Sequence, residues 1–366
     1  MENKNQTTLF KGEMMEELLR NYFLNLGYFV VRGVKYRYNE NDITDVDLFL
    51  YGRISSLSRE KINVDVKNKK TPQAFERILW ANGLKKLLKF DSCIVATTDQ
   101  RPVIHSFGEL HHTTILDGNF LSKLRSNENN ERLTEEELFN LLSPHKSYKT
   151  FYNKDWKYIY ETSKSRLLTE LDFSGFNSSL NVLMYFIEKQ ITDKQKQEPS
   201  LRIFYLILSH LLIIIDYILK DIIFLDQPNK EKKLSDGFKF GNLGKEGVDR
   251  IISMAVQISG NKSASSVLKS LDDIPTDILK DYFSKNENAK NIFGWAKEFE
   301  TLGFNKILIT PDKTPSHLKG IISVLLDYFS IERRKYFNSF GTTEKDDSIS
   351  EKIQDKQNGE WNDIRI

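Results

Sequence analysis

Met15, Leu18, Leu19, Tyr22 and Leu26 recur at the spacing of one helix face, and Gly27 is placed to end that helix as its C-cap. The apolar period then shortens to two. Residues 28–31, 44–51 and 62–67 each read as a strand, the last two by clean alternation of apolar and polar side chains. A helical pattern returns over 72–88. Two β-rich runs, 92–97 and 113–116, follow, before Asp117 and Gly118 turn into a further helix. The order α-β-β-β-α-β-β-α predicts an α/β fold, a mixed central sheet flanked by helices.

Strand signals nearly vanish after residue 125. The run 125–132 is polar and Asn-rich, as surface connections are. Thr134 with Glu137 three residues on has the spacing of a capping box, opening a helix through Leu138, Leu141 and Leu142. Helical periodicity is clearest at 205–223, 248–258, 289–302 and 318–337. We expect an α/β domain over residues 1–128, a mostly α-helical domain over 133–340 and a disordered polar tail over 341–366. The most apolar segment, 201–225, has unbroken apolar runs only at 203–208 and 211–215. These fall short of the ~20 residues a membrane span requires. Arg202, Ser209, Asp216 and Lys220 form a narrow polar stripe along it, the pattern of a nearly buried bundle helix.

Composition narrows the setting. Among 366 residues, 53 Lys and Arg nearly balance 51 Asp and Glu, for a net charge of +2, which excludes a histone-like binder and leaves room for a local basic site. The interval from Arg59 to Lys89 is such a place, with nine basic and three acidic residues. One Cys excludes a disulfide framework and a Cys-based zinc knuckle and fits a reducing cytoplasm. Acidic residues interrupt the N-terminal run early, so no signal-peptide core is expected, and the protein reads as soluble and cytoplasmic.

The chemistry concentrates on two strands. Alternation turns Ile62, Val64 and Val66 to the core and Asn63, Asp65 and Lys67 to the opposite face. Val46, Leu48 and Leu50 likewise oppose Asp45 and Asp47. Two neighbouring strands that present carboxylates to one side make a candidate site for a hard divalent cation, which takes few protein oxygens and keeps water or phosphate as its other ligands. A lysine beside that cation is suited to orient water or to offset charge growing on phosphorus.

These residues resemble the PD-(D/E)XK nuclease superfamily, restriction-endonuclease-like and of Mrr-type flavour, over residues 9–124. Four features carry the likeness in order. They are a first helix with Glu16 before a Gly27-Tyr28-Phe29 step into a strand; Asp47 followed by apolar Leu48, Phe49 and Leu50; the Asp65-Val66-Lys67 strand; and Ile115-Leu116-Asp117-Gly118 followed by Phe120 and Leu121. No proline precedes Asp47, Asp42 and Asp45 compete for its role, and Glu13 and Glu17 share the helix of Glu16. The resemblance implies a metal-dependent endonuclease, a hydrolase of DNA phosphodiester bonds, in restriction or antiphage defence. In that reading Asp47 and Asp65 hold one or two Mg²⁺ or Mn²⁺ ions with the Val66 carbonyl, Glu16 is an outer or second-metal acid, and Lys67 positions the attacking water. Lys69, Lys70, Arg77, Lys85 and Lys86 are expected to meet a nucleic-acid backbone, DNA favoured over RNA, and Gln73 to make a polar contact. A homodimer or a defence-system partner protein would act through the helical region. The other readings kept open are an RNA-directed nuclease and a nuclease-like module that binds nucleic acid or a partner without cutting.

Remaining signals point to structure. None of the six histidines has a zinc spacing, the glycines at 237, 241, 244 and 247 match no phosphate-loop pattern, and Cys93 falls on a core strand. Trp80, at helical spacing with Leu84 and Leu87, reads as core; Arg202 and His210 read as parts of a buried helix face.

Overall fold

The computed structural model describes residues 11–39, 41–68, 71, 73–124, 131–147, 153–259 and 274–341. Pro72, most of the expected connection (125–130) and the expected tail from residue 342 lie outside them. Helix α1 (Lys11–Asn25) ends at Gly27, whose φ of 94° is open to glycine at little cost. Strands β1 (Phe29–Tyr38), β2 (Asn41–Arg53) and β3 (Arg59–Lys67) follow, then α2 (Ala74–Leu87), β4 (Ser92–Thr97), α3 (Val103–Leu110), β5 (Thr114–Leu116) and α4 (Gly118–Lys123). The five strands lie in the order β1-β2-β3-β4-β5, antiparallel up to β3 and parallel from β3 to β5. The expected mixed sheet with flanking helices is therefore present. Helix α3 is an addition to the expected order: β4 and β5 run parallel, so the chain must cross back between them.

Each face of the sheet carries its own core. Leu19 and Phe23 of α1 pack with Val30, Leu48, Leu50, Ile62, Val64 and Val66 on one side. Ile78 and Ala81 of α2 pack with Cys93 and Val95 on the other. Asp117 caps α4 by accepting from the Phe120 amide, and the capping box of Thr134 and Glu137 forms at α5 (Glu135–Leu142).

The remainder is mostly helical: α6 (Trp156–Thr169), α7 (Phe173–Thr192), α8 (Gln197–Leu219), α9 (Gln227–Phe240), α10 (Gly244–Ser259), α11 (Thr276–Phe283) and α12 (Asn286–Phe304). Among the described residues, those up to Leu308 form one compact unit, so the change from sheet to helix near 125–133 falls inside it. Residues from Ile309 form a second unit holding α13 (Ser316–Tyr328) and α14 (Arg333–Asn338). The single helix expected over 318–337 is thus two, parted by Ser330 in the left-handed region at φ 57°.

Helix α8 is the buried bundle helix its pattern predicts. With the preceding turn it is long and apolar enough to cross a membrane by length and composition, yet 94% of its most apolar window is buried within the fold. It packs against α7 and α12. A Cβ on Gly303 would come within 2.6 Å of Leu206, so only glycine lets α12 approach this closely. The polar stripe of α8 is a docking seam. Arg202 donates to the carbonyls of Gly303 in the last turn of α12 and of Asn305 and Lys306 just beyond it, while Asp216 accepts from Tyr51 of β2 and from Arg53 and Arg59. Between them His210, 1% exposed, shares a hydrogen bond with Ser163 at 2.9 Å and stacks on Tyr160.

A second polar cluster ties the sheet side to the helices. Arg20 of α1, stacked on the Phe304 ring, donates to Glu300 of α12 at 2.9 Å and to Glu135 of α5 at 3.4 Å. Arg132 also binds Glu300, and Lys164 of α6 binds Glu135 at 2.7 Å. Burial opposes charge on Glu135 and Glu300, yet Lys164, Arg132 and Arg20 hold both carboxyls below the usual range. Removing one member of a buried ion cluster strands the others. We therefore expect Arg20→Met to lower the unfolding free energy by about 3–5 kcal/mol in urea denaturation. Removal of an exposed pair by Lys280→Met should cost under about 1 kcal/mol.

Burial and the nearby Lys164 push His210 down to about 3. Its folded value lies below its unfolded one, so its contribution to stability is present above about pH 6.5 and is lost as pH falls toward 3. His210→Gln is expected to flatten the fall in melting temperature between pH 6.5 and 5; an unchanged slope would count against this assignment.

Candidate active site

The β2–β3 register pairs Leu48 with Val64, and one further step along each strand sets Asp47 beside Asp65. Asp47 Oδ2 accepts from the Val66 backbone amide at 2.6 Å, bringing the first expected acid onto the Asp65-Val66-Lys67 segment. Asp65 is 5% exposed. Lys67 is half-buried at the end of β3 and close enough to Asp47 to favour its charge. Burial nonetheless pushes the Asp47 carboxyl up; Asp45 adds to that push, while the Val66 amide, Lys67 and Arg77 work against it. Three of the four expected site residues therefore meet on adjacent strands.

Glu16 approaches from α1. Burial pushes its carboxyl up to about 7 against the pull of Arg32, with Asp47 and Glu136 adding to the push. Its Oε2 accepts from Arg32 Nε at 2.7 Å, and the same guanidinium holds Glu17 at 3.0 Å and Glu136 of α5 at 2.7 Å. Asp65 is likewise occupied. Arg77 of α2 forks onto it, with Nε to Oδ2 at 2.8 Å and Nη2 on Oδ1. Among the described residues no three Asp, Glu, His or Cys side chains group as metal ligands. Arg32 and Arg77 each hold one of the expected acids, Glu16 and Asp65.

Arg77, expected on a phosphate, thus serves first as the partner of Asp65. Gln73 precedes α2, exposed and in the left-handed region at φ 40°. Lys85 and Lys86 lie in the last turn of α2, about 12–14 Å along the helix from Arg77 at 1.5 Å per residue. That is roughly four base-pair steps of a duplex. Lys69 and Lys70 lie outside the described residues. Trp80 is a correction: it is 46% exposed, and Leu87 is exposed with it. Helix α2 meets the sheet through the narrow stripe of Ala74, Ile78, Ala81 and Leu84, which leaves the Trp80 ring outside, 5.9 Å from the Arg77 guanidinium carbon.

The donors suit a hard cation in kind. Asp47 keeps Oδ1 clear of hydrogen bonds among the described residues, and a second carboxylate stands on the next strand already carrying a positive group. Arg32 and Arg77 were the partners that sequence reasoning missed. Alternation identifies which strand residues share a face but not which long side chain reaches them from another element.

If Asp47 is held against its preference for the neutral form, Asp47→Asn, which keeps an acceptor for the Val66 amide, should match or exceed the melting temperature of the parent at pH 8. Asp47→Leu, which leaves that amide unpaired, should melt lower. Equal losses in both variants would show the charge itself to be stabilising. Comparison with protein-family models, with curated proteins and with solved structures returns no match to this chain.

Proposed function

We propose that the chain is a metal-dependent endonuclease of the PD-(D/E)XK type that hydrolyses DNA phosphodiester bonds in the cytoplasm. Its setting in this reading is restriction or antiphage defence, with the helical region governing targeting or activation. The observation that carries the reading is the meeting of Asp47, Asp65 and Lys67 at the end of β3, linked by the hydrogen bond from the Val66 amide to Asp47. Asp47, Asp65 and the Val66 carbonyl would hold Mg²⁺ or Mn²⁺, with Glu16 as a further acid. When bound, the ion supplies Lewis-acid stabilisation of charge on phosphate oxygen. Lys67 forms no ion pair among the described residues, so its ammonium is free to hold the attacking water and offset the growing negative charge. Water adds to phosphorus and gives up a proton, the phosphorus–oxygen ester bond breaks, and the departing alkoxide takes up a proton to leave as a hydroxyl. The basic residues of α2 supply backbone contacts, and the buried Cys93 fits a reducing compartment.

A second reading draws on a specific observation, the Arg77 fork on Asp65: a nuclease-like core that grips nucleic acid or a partner without cutting. Plasmid cleavage separates the two. Nicking with Mg²⁺ or Mn²⁺, none in EDTA, and at least about a hundredfold loss in both Asp65→Ala and Lys67→Ala are expected. Cutting that survives both substitutions would sink the site assignment. Binding without cleavage of duplex, single-stranded or branched DNA, or of RNA, would favour the second reading, and cleavage of RNA alone would redirect the first.

A further inference from the structure

We propose that Arg77 is a built-in competitor for the cation at Asp65, a latch that keeps the site closed until a divalent ion displaces the guanidinium. The proposal rests on the reading of Asp65 as a metal ligand and adds to it the residue that controls access. Asp65 sits at 5% exposure, and a planar fork engages both of its oxygens, so an arriving ion must compete with the guanidinium for either one. Such a buried carboxylate would be costly with no cation at hand, and Arg77 supplies one from the chain itself.

The arginine also has somewhere to go. It belongs to the first turns of α2, its side chain is 24% exposed, and the Trp80 face lies 5.9 Å away on the solvent side. Asp65, fixed on a strand in the middle of the sheet, cannot follow it. Burial works against the charge of Arg77, while Asp47 and Asp45 favour it. An ion that neutralises these acids therefore weakens the hold on the guanidinium as it arrives. Once released, Arg77 presents a cation on the same side as Gln73, where a backbone phosphate could accept its two parallel donors.

The test is Mn²⁺ binding by the full chain, followed by titration calorimetry with nucleic acid absent. Arg77→Gln should bind Mn²⁺ at least tenfold more tightly than the parent, and Asp65→Asn should abolish binding in either background. Arg77→Lys, which keeps the charge but loses the fork, should tighten binding about threefold; it decides the question if the Gln variant fails to fold by circular dichroism. Affinity unchanged or weakened in Arg77→Gln and Arg77→Lys, with binding still dependent on Asp65, would overturn the latch and leave the metal site standing. No Mn²⁺ binding in any variant, or binding indifferent to Asp65→Asn, would overturn the metal site and the latch together.

Discussion

Five glutamates and four basic side chains meet where α1 and β1 face the helices, and the arrangement of the larger unit turns on that meeting. Glu16, Glu17, Glu135, Glu136 and Glu300 are shared among Arg20, Arg32, Arg132 and Lys164, drawn from α1, β1, α5, α6, α12 and the segment before α5. Buried charges gain little over a packed apolar core, but they are intolerant of misalignment, because a displaced partner leaves an uncompensated charge in a poorly polarisable surrounding. The cluster thus acts as a key. Apolar contacts around α8 would accept small slips between sheet and helices; the ion cluster accepts one arrangement. It reaches the candidate site directly, since the arginine that holds Glu16 also holds Glu136, at the start of the helical region.

That connection gives the acids of the site a common character. Glu16 is satisfied by Arg32 and Asp65 by Arg77, while Asp47 has only a backbone amide and the field of nearby cations. Many metal sites leave their carboxylates facing one another and fold only once an ion relieves the repulsion. Here the chain carries its own counter-charges. The fold therefore needs no added ion to balance Glu16 and Asp65.

The sheet and its faces were legible from alternation alone. Ile62, Val64 and Val66 could only point one way once Asn63, Asp65 and Lys67 pointed the other, and the two acid-bearing strands proved to be neighbours in register. The burial of α8 was legible from its narrow polar stripe, although the stripe faces partner elements in place of solvent. Helix α3 was not foreseen, although Val103, Ile104, Phe107 and Leu110 repeat at helical spacing and Pro102 suits a helix start. Its brevity hid it. Trp80 misled because a helix on a flat sheet buries a stripe of small and aliphatic residues narrower than the apolar pattern suggests. The pairing of Arg77 with Asp65 spans a strand, a loop and a helix turn, a distance over which local periodicity carries no information.

Helix α8 has a cost that the finished fold conceals. Its neighbour α7 precedes it in the chain, but α12 begins about 70 residues after α8 ends. At roughly 5–20 residues per second, synthesis leaves one flank of this long apolar helix uncovered for about 4–14 seconds. During that interval the long apolar run of the helix is interrupted chiefly by Arg202, Ser209, His210 and Asp216. The polar residues that later dock the helix are thus also the ones that break up its apolar surface before its neighbours arrive.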